Sequence, residues 1–527
     1  MKVAPVEGNR REDVHGKRHS DIHLTELIEG LGGQCLSQQG PENLVIRMVS
    51  ADSRRLGPAS LFVALSGGAA DGHCFIEAAV QAGAVAVLVE RPELVPHHLL
   101  ATDLCILAVE DTRLALGGVA ARFFGNPAAA LTMIGITGTN GKTTVSYLLE
   151  HALQQADLRV GVIGTVDYRY RGEGGELVCY PAPFTTPDPL QLHRILRVMV
   201  DGGVTHVVME VSSHALQQQR LGPLHFSLAV FTNLSQDHLD YHRTMEEYWS
   251  AKWLLFERYL ADDAAVVVVL PEDEASPQAG WAAKVLVGCR CLPIRLLTCG
   301  GAATAQLRLI QSHSTLDGST LVYQGLQGAR RTISSPLVGR FNMDNLLAAL
   351  ATLVALGIDE ESAGRLLCSA PGAPGRLQRI VLAARVTGQP TVFVDYAHTP
   401  DALDNVLSTL AGVPHRTLFC LVGCGGDRDR SKRPLMGGIA AARSDVTIIT
   451  DDNPRSEEPS AIRAQVLAGV RERGLPVHEP DWLVHRGEAA KGCVEIADRR
   501  LAIEAAVSAA GPGDIVLIAG KGHEQYQ

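Results

Sequence analysis

The stretch Gly135-Ile-Thr-Gly-Thr-Asn-Gly-Lys-Thr-Thr144 lies between an apolar run and an amphipathic one. Gly135, Gly138 and Gly141, spaced three apart, let successive backbone N–H groups turn toward one point. A helix opening there adds its partial positive charge, so the stretch is a cradle for phosphate. Gly138, Thr139, Asn140 and Gly141 would wrap the phosphates of a nucleotide. Lys142 would reach the β- and γ-phosphates, and Thr143 or Thr144 a Mg2+ ion. Ile136 stands where the common G-x-x-x-x-G-K-[ST] loop has its first glycine, which argues against ordinary GTPases and motors.

Further along, Glu210 closes the apolar run THVVME. A carboxylate at the C-terminal end of a strand, near a phosphate loop, suits Mg2+; a strand-end charge in water looks the same. Asn233-Leu-Ser-Gln-Asp-His-Leu-Asp-Tyr-His242 packs two Asp and two His into ten residues after another apolar run, more than a solvated loop needs. Lys252, within EEYWSAKWLLF, reads as a lysine snorkelling from an amphipathic helix. Asn345, in Gly339-Arg-Phe-Asn-Met-Asp-Asn345, reads as a helix N-cap. Arginines cluster in Gly423-Cys-Gly-Gly-Asp-Arg-Asp-Arg430 and in Asp451-Asp-Asn-Pro-Arg455. A guanidinium grips a carboxylate with two parallel hydrogen bonds, which lysine cannot copy, so these loops fit a ligand carrying extra carboxylates.

The elements that must hold these groups alternate. Strands are predicted over 60–65, 84–90 and 104–110, with a helix over 75–82 between the first two. A second section has strands over 131–137, 205–211 and 227–232 and a helix over 143–155. A third has strands over 391–395, 417–422, 445–450 and 514–519. Strand–helix–strand rhythm predicts parallel sheets, and in each section the polar groups fall where a strand ends, the ligand edge of open α/β sheets. At roughly 100–200 residues per domain, 527 residues predict three domains: 21–128, 129–369 and 370–527, after a mobile polar tail over 1–20.

Composition agrees. The chain is 46% hydrophobic, 20% charged and only 5% aromatic, which excludes a disordered or fibrous chain. A net charge of −10 does not favour nucleic acid or anionic lipid as a partner. The longest apolar runs fall short of the ~20 residues of a membrane helix, and the N-terminus has no apolar signal core. Eleven scattered cysteines, with one lone C-x-C at Cys289 and Cys291, predict no zinc site and a reducing cytoplasm.

The form T-G-T-N-G-K-T-T resembles the Mur ligase family, amide-forming ATP-dependent ligases with folylpolyglutamate synthetases as cousins. Further motifs match it in the family's order from about residue 21 to the end. They include Asp237-His-Leu-Asp-Tyr-His242, Gly375-Arg376, Asp395-Tyr-Ala-His398, Asp452-Asn-Pro-Arg455 and Gly520-Lys-Gly-His-Glu524. The resemblance implies three α/β domains: a central P-loop ATP-binding parallel sheet, an N-terminal UDP-binding domain and a C-terminal Rossmann-like domain. It implies Lys142, Glu210, His238 and Lys252 as catalytic groups, with Thr143, Glu210, His238 and a carbamylated Lys252 holding Mg2+. Asn345, Arg376, Asp395 and His398 would also meet ATP. Ser53 and the 68–70 turn would meet the UDP group of the substrate, and Thr185, Thr186, Ser212, Gln218 and Arg220 its muramoyl-dipeptide and phosphates.

Within the family, D-N-P-R marks members that add meso-diaminopimelate rather than lysine. The resemblance thus implies ligation of meso-2,6-diaminopimelate to a UDP-muramoyl-dipeptide through an acyl phosphate, by a cytoplasmic monomer with ATP and Mg2+. Arg428, Asp452, Asn453, Pro454, Arg455, Gly520 and Glu524 would bind the amino acid. A folylpolyglutamate or cyanophycin synthetase is the alternative. Three departures stand out. Phe184 replaces an Asn of some relatives, and Gln378 replaces the usual Glu after Gly375-Arg376. The chain also stops at Gln527, where relatives continue to a final helix, so a shortened third domain, and with it an ATP-binding but inactive form, is a further expectation.

Overall fold

Unbroken runs of Val, Ile, Leu and Ala favour strands buried on both faces, and the chain uses them in the three larger sheets among its described residues. The computed structural model describes residues 2–3, 21–29, 31, 35–41, 43–67, 70–381, 388–487 and 490–524. Two compact units form, Met1–Arg308 with Leu347–Leu366, and Leu309–Leu346 with Leu367–Gln527.

In the first unit a five-stranded sheet runs in the order Cys35–Gln39, Cys105–Val109, Ala84–Val89, Ser60–Val63, Met48–Ser50. All pairs are parallel except the first. Leu27, Val119 and Phe123 pack on one face and Ile76 and Ala79 on the other. The central sheet places Val160–Ile163, His206–Glu210, Thr132–Thr137, Phe226–Phe231, Leu260–Leu270 and Arg295–Gly300 side by side, all parallel. Asp167–Arg171 and Leu177–Pro181 turn back antiparallel at one edge. Register aligns the strand ends: Glu210 pairs with Ile136, and Phe231 with Thr137. The phosphate loop, Glu210 and the 233–242 segment therefore leave one edge of the sheet from three adjacent strands.

The second unit holds a seven-stranded sheet, ordered Gln378–Arg379, Thr391–Asp395, Ile515–Ala519, Leu418–Val422, Val446–Ile449, Gly492–Glu495, Val477–His478. Only its first pair is antiparallel. Asp395 pairs with Ala519 and Val422 with Ile449, so the 395–401, 423–430, 451–455 and 520–524 loops share one sheet end.

The α/β class and the parallel sheets are as expected, and strand ends differ by only a residue or so. The helix foreseen over 75–82 opens as a 3-10 turn, Gly72–Phe75, because Asp71 caps His73 N–H, and becomes α-helical over Ile76–Gln81. Asn345 is not an N-cap: it lies in the second turn of Arg340–Ala355. Of the 1–20 tail only Lys2 and Val3 are described, paired with Val178 and Cys179; the rest lies outside the described residues, as do Gly68 and Ala69 of the 68–70 turn and the end of the chain past Glu524. No helix among the described residues is long and apolar enough to cross a membrane.

Candidate functional site

The phosphate loop leaves strand Thr132–Thr137 and enters helix Lys142–Gln155. Gly138 has φ +145°, and a Cβ there would collide with Thr232 Oγ1, so this position admits only glycine. Neighbouring groups fix the loop from outside. Thr232 Oγ1 donates to Asn140 O at 2.6 Å, Thr139 N–H to Asn233 O at 3.0 Å, and Asn140 N–H to Asn233 Oδ1 at 3.0 Å. Thr139 Oγ1 donates to Ser235 O at 3.2 Å and lies 3.2 Å from the Tyr248 hydroxyl. Lys142 Nζ folds back onto its own loop, donating to Gly138 O and Thr139 O at 2.8 Å each.

Glu210 is 1% exposed, so it is no strand-end charge in water. Its Oε2 accepts from Thr143 Oγ1 at 2.9 Å and Thr165 Oγ1 at 3.0 Å, and its Oε1 from Thr165 N–H at 3.0 Å. Lys252 does not snorkel either. It is 2% exposed on helix Met245–Arg258, and its Nζ donates to Gly138 O at 2.8 Å. The helix face that carries it packs on the loop rather than on water. Burial first, then the positive charge of Lys142, holds its ammonium well below the ordinary lysine range. Its Nζ also sits 4.5 Å from the centre of the Tyr248 ring.

His238 has left-handed backbone, φ +54°, and its ring packs edge-on against His214 and Tyr248. Among the described residues no three His, Cys, Asp or Glu side chains converge as a metal site. Oxygen donors Thr143 and Glu210 do meet at the mouth of the loop.

Next to Glu210 the structure brings together five of the substrate candidates. Thr165 Oγ1 lies 3.1 Å from Thr185 Oγ1, and Thr186 Oγ1 donates to Glu210 O at 2.8 Å and accepts from Ser212 N–H at 3.1 Å. Arg220 donates to Gln218 Oε1 and to Thr186 O, and covers the exposed Phe184 ring. No hydrogen bond joins Ser53 to this group among the described residues; it sits in the turn Ser53–Arg55, capped by Asp52.

In the second unit Asp395 is buried. Burial raises its carboxyl above the ordinary aspartate value against the pull of Arg376, while Leu377 N–H and Ala397 N–H donate to it at 2.5 and 2.7 Å. The Arg376 guanidinium lies over the Tyr396 ring, and His398 Nδ1 is 2.8 Å from Tyr396 O. Gln378 Oε1 accepts Gly375 N–H at 2.8 Å, so the neutral amide closes the turn where a Glu was expected. Asn345 Nδ2 donates to Asn342 Oδ1 at 3.1 Å. Arg455 donates to Gly426 O at 2.6 Å, joining the 423–430 and 451–455 loops, while Arg428 is exposed. Asn453 Nδ2 donates to Glu524 Oε2 at 3.3 Å.

Three family models cover most of the chain: "Mur ligase family, catalytic domain" matches 45–124, "Mur ligase middle domain" 136–353, and "Mur ligase, glutamate ligase domain" 375–522. A UDP-N-acetylmuramoyl-L-alanyl-D-glutamate–2,6-diaminopimelate ligase of Geobacter metallireducens is 42% identical over 499 residues, 92% of this chain and 91% of its own. The chain belongs to the Mur ligase family. A Mur ligase of the same name from Synechococcus elongatus is 40% identical, covering 96% of this chain and 95% of its own. A solved structure, again of a UDP-N-acetylmuramoyl-L-alanyl-D-glutamate–2,6-diaminopimelate ligase, superposes with a TM-score of 0.68 at 33% identity over 96% of this chain and 95% of that one.

Sequence reasoning passed over several groups that this Mur ligase brings to the site. Thr165 bridges Glu210 and Thr185, and its signal was Gly164-Thr165 just past strand Val160–Ile163. A Cβ at Gly164 would press on Glu210 Oε1, so the carboxylate would have to shift. Tyr248 and Asn233 support the loop from helices and strands distant in sequence, and nothing local marks them. Arg433 is wholly buried and grips Glu457 with two bonds of 2.8 and 3.0 Å, while Glu457 accepts Asp427 N–H at 2.7 Å.

Proposed function

We propose that the protein is an ATP-dependent amide ligase that joins meso-2,6-diaminopimelate to UDP-N-acetylmuramoyl-L-alanyl-D-glutamate, a step in peptidoglycan precursor synthesis. The observation that carries this is Glu210, whose one carboxylate touches Thr143 of the phosphate loop and Thr165 of the substrate cluster. It sets a phosphoryl donor beside a held acid. The names of relatives about 40% identical over nine-tenths of the chain support the choice of acid and amine.

A carboxylate is a poor acylating agent. In the reaction a γ-carboxylate oxygen of the D-glutamyl residue attacks the γ-phosphorus of ATP and ADP leaves. The diaminopimelate amine then attacks the acyl carbon, loses a proton, and phosphate departs from the tetrahedral intermediate. Gly138, Thr139, Asn140, Gly141 and Thr144 wrap the phosphates. Lys142 exchanges its two loop carbonyls for phosphate oxygens and offsets the charge that builds on them. Asn345, Arg376, Asp395 and His398 complete the nucleotide contacts. Ser53, Thr185, Thr186, Ser212, Gln218 and Arg220 hold the UDP-dipeptide, and Arg428, Asp452, Asn453, Pro454, Arg455, Gly520 and Glu524 the amino acid.

Thr143 Oγ1 and Glu210 Oε2, hard oxygens 2.9 Å apart, fit Mg2+; with His238 and Lys252 as a carbamate they form the set we assign to it. When bound, the ion neutralises and orients the phosphates. Burial disfavours the ammonium of Lys252 and so favours the free amine, the form that adds CO2: the amine nitrogen bonds the carbon and releases one proton. Eleven scattered cysteines fit the cytoplasm to which we assign the protein, in a monomeric form.

Phosphate release by the purified chain with ATP, Mg2+ and the UDP-dipeptide tests this, with meso-diaminopimelate, L-lysine or no amino acid added. Release confined to meso-diaminopimelate, with a UDP-tripeptide by mass, is expected. Preference for L-lysine would overturn the reading of Arg455, and ATP binding without turnover on any amino acid would overturn the assignment of a ligase.

A further inference from the structure

We propose that Lys521 is a positioning residue that sets the choice of amino acid. The inference rests on the reading of Asn453, Arg455 and Glu524 as the amino-acid site. Lys521 follows strand Ile515–Ala519, and its side chain is almost wholly withdrawn from water. Its Nζ donates to Asn453 Oδ1 at 2.9 Å and lies 3.5 Å from Asp452 Oδ1. An ammonium can only donate, so it holds the Asn453 amide with the oxygen toward itself and Nδ2 toward Glu524, where the bond of 3.3 Å forms. One cation thus fixes how Asn453 faces and partly neutralises Asp452.

The charge count explains what this does. Asp452 and Glu524 are two carboxylates, and the cations of this loop cluster are Lys521, Arg455 on Gly426 O and the buried Arg499, whose Nη2 and Nη1 donate to Ala519 O and Asp451 O at 2.8 and 3.4 Å. A surplus of cations suits a ligand end that carries a carboxylate beside its ammonium, as the distal centre of diaminopimelate does. Without Lys521 that surplus is gone and the Asn453 amide is free to turn, which favours a bare ammonium, as on lysine. Lys521 acts through Asn453 and Asp452, so its effect falls on amino-acid affinity and choice.

The test measures kcat/KM for meso-diaminopimelate and for L-lysine, and KM for ATP and the UDP-dipeptide, in the full chain and in Lys521→Met. The ratio of the two amino acids is expected to fall by about tenfold or more, the usual scale for a buried charge-assisted bond. KM for ATP and the melting temperature stay put. Lys521→Arg keeps the ratio and Lys521→Gln loses it, which covers the case in which the methionine variant does not fold. An unchanged ratio, or equal losses for every substrate, overturns the role given to Lys521 alone. If the unsubstituted protein makes no tripeptide from meso-diaminopimelate, the proposed function fails, and this inference with it.

Discussion

Replacing Glu210 by Gln separates charge from shape at the centre of the site. The buried carboxylate accepts three bonds, from Thr143 Oγ1, Thr165 Oγ1 and Thr165 N–H. A glutamine keeps its oxygen for Thr165 N–H, and its amide nitrogen can donate to both hydroxyls, which rotate. The lost charge assistance costs about 1 kcal/mol of stability, a melting shift of roughly 2–4 °C for a domain of this size. Glu210→Ala would instead strand the Thr165 amide, at about 1–3 kcal/mol more. Activity should respond differently. Taking one preorganised charge from the phosphoryl-transfer site is expected to lower kcat by about 10²–10³, or roughly 3–4 kcal/mol of barrier. The assay is phosphate release at saturating substrates beside a thermal melt of the same preparation. A kcat within about threefold of the parent would refute the place given to Glu210. So would a drop that merely tracks unfolding.

Other tests rest on single contacts. Lys252→Met removes a buried amine whose charged form burial and Lys142 disfavour. Its melting temperature should hold or rise while turnover falls by about a hundredfold or more; lost stability would count against the argument. Gly138→Ala forces a side chain into Thr232 Oγ1 at φ +145°, so ATP binding by calorimetry should vanish; retained affinity would show that the loop can move. Glu457 is drawn from 4.5 to about 2 by Arg433 and the Asp427 N–H. A carboxyl depressed in the folded state adds stability above its unfolded value and loses it as pH falls toward the folded one. Melting curves of the parent and Glu457→Gln should therefore converge between pH 4.5 and 2; parallel curves would refute the pairing.

Much of the site was legible because its chemistry is local. Gly138, Gly141 and Lys142 occupy consecutive turns of one loop, and a phosphate cradle needs nothing from elsewhere to be recognised. Strands of Val, Ile and Ala announced themselves by burial on both faces. Three bland alternatives failed for one reason. Lys252 as a snorkelling lysine, Glu210 as a strand-end charge in water and Asn345 as an N-cap were each judged by their own element. Burial, however, is decided by what packs against that element.

The sequence alone thus determined the α/β class, the phosphate loop and the motifs that succeed it in order, since each depends on residues within one turn or one strand. Only the tertiary structure decided that Glu210 links Thr143 to Thr165, that Lys252 is buried on Gly138 O, and that Lys521 holds Asn453. Those contacts join residues dozens of positions apart. Parallel strand register gathers each set at the end of its own sheet, and no pattern along the chain encodes register directly.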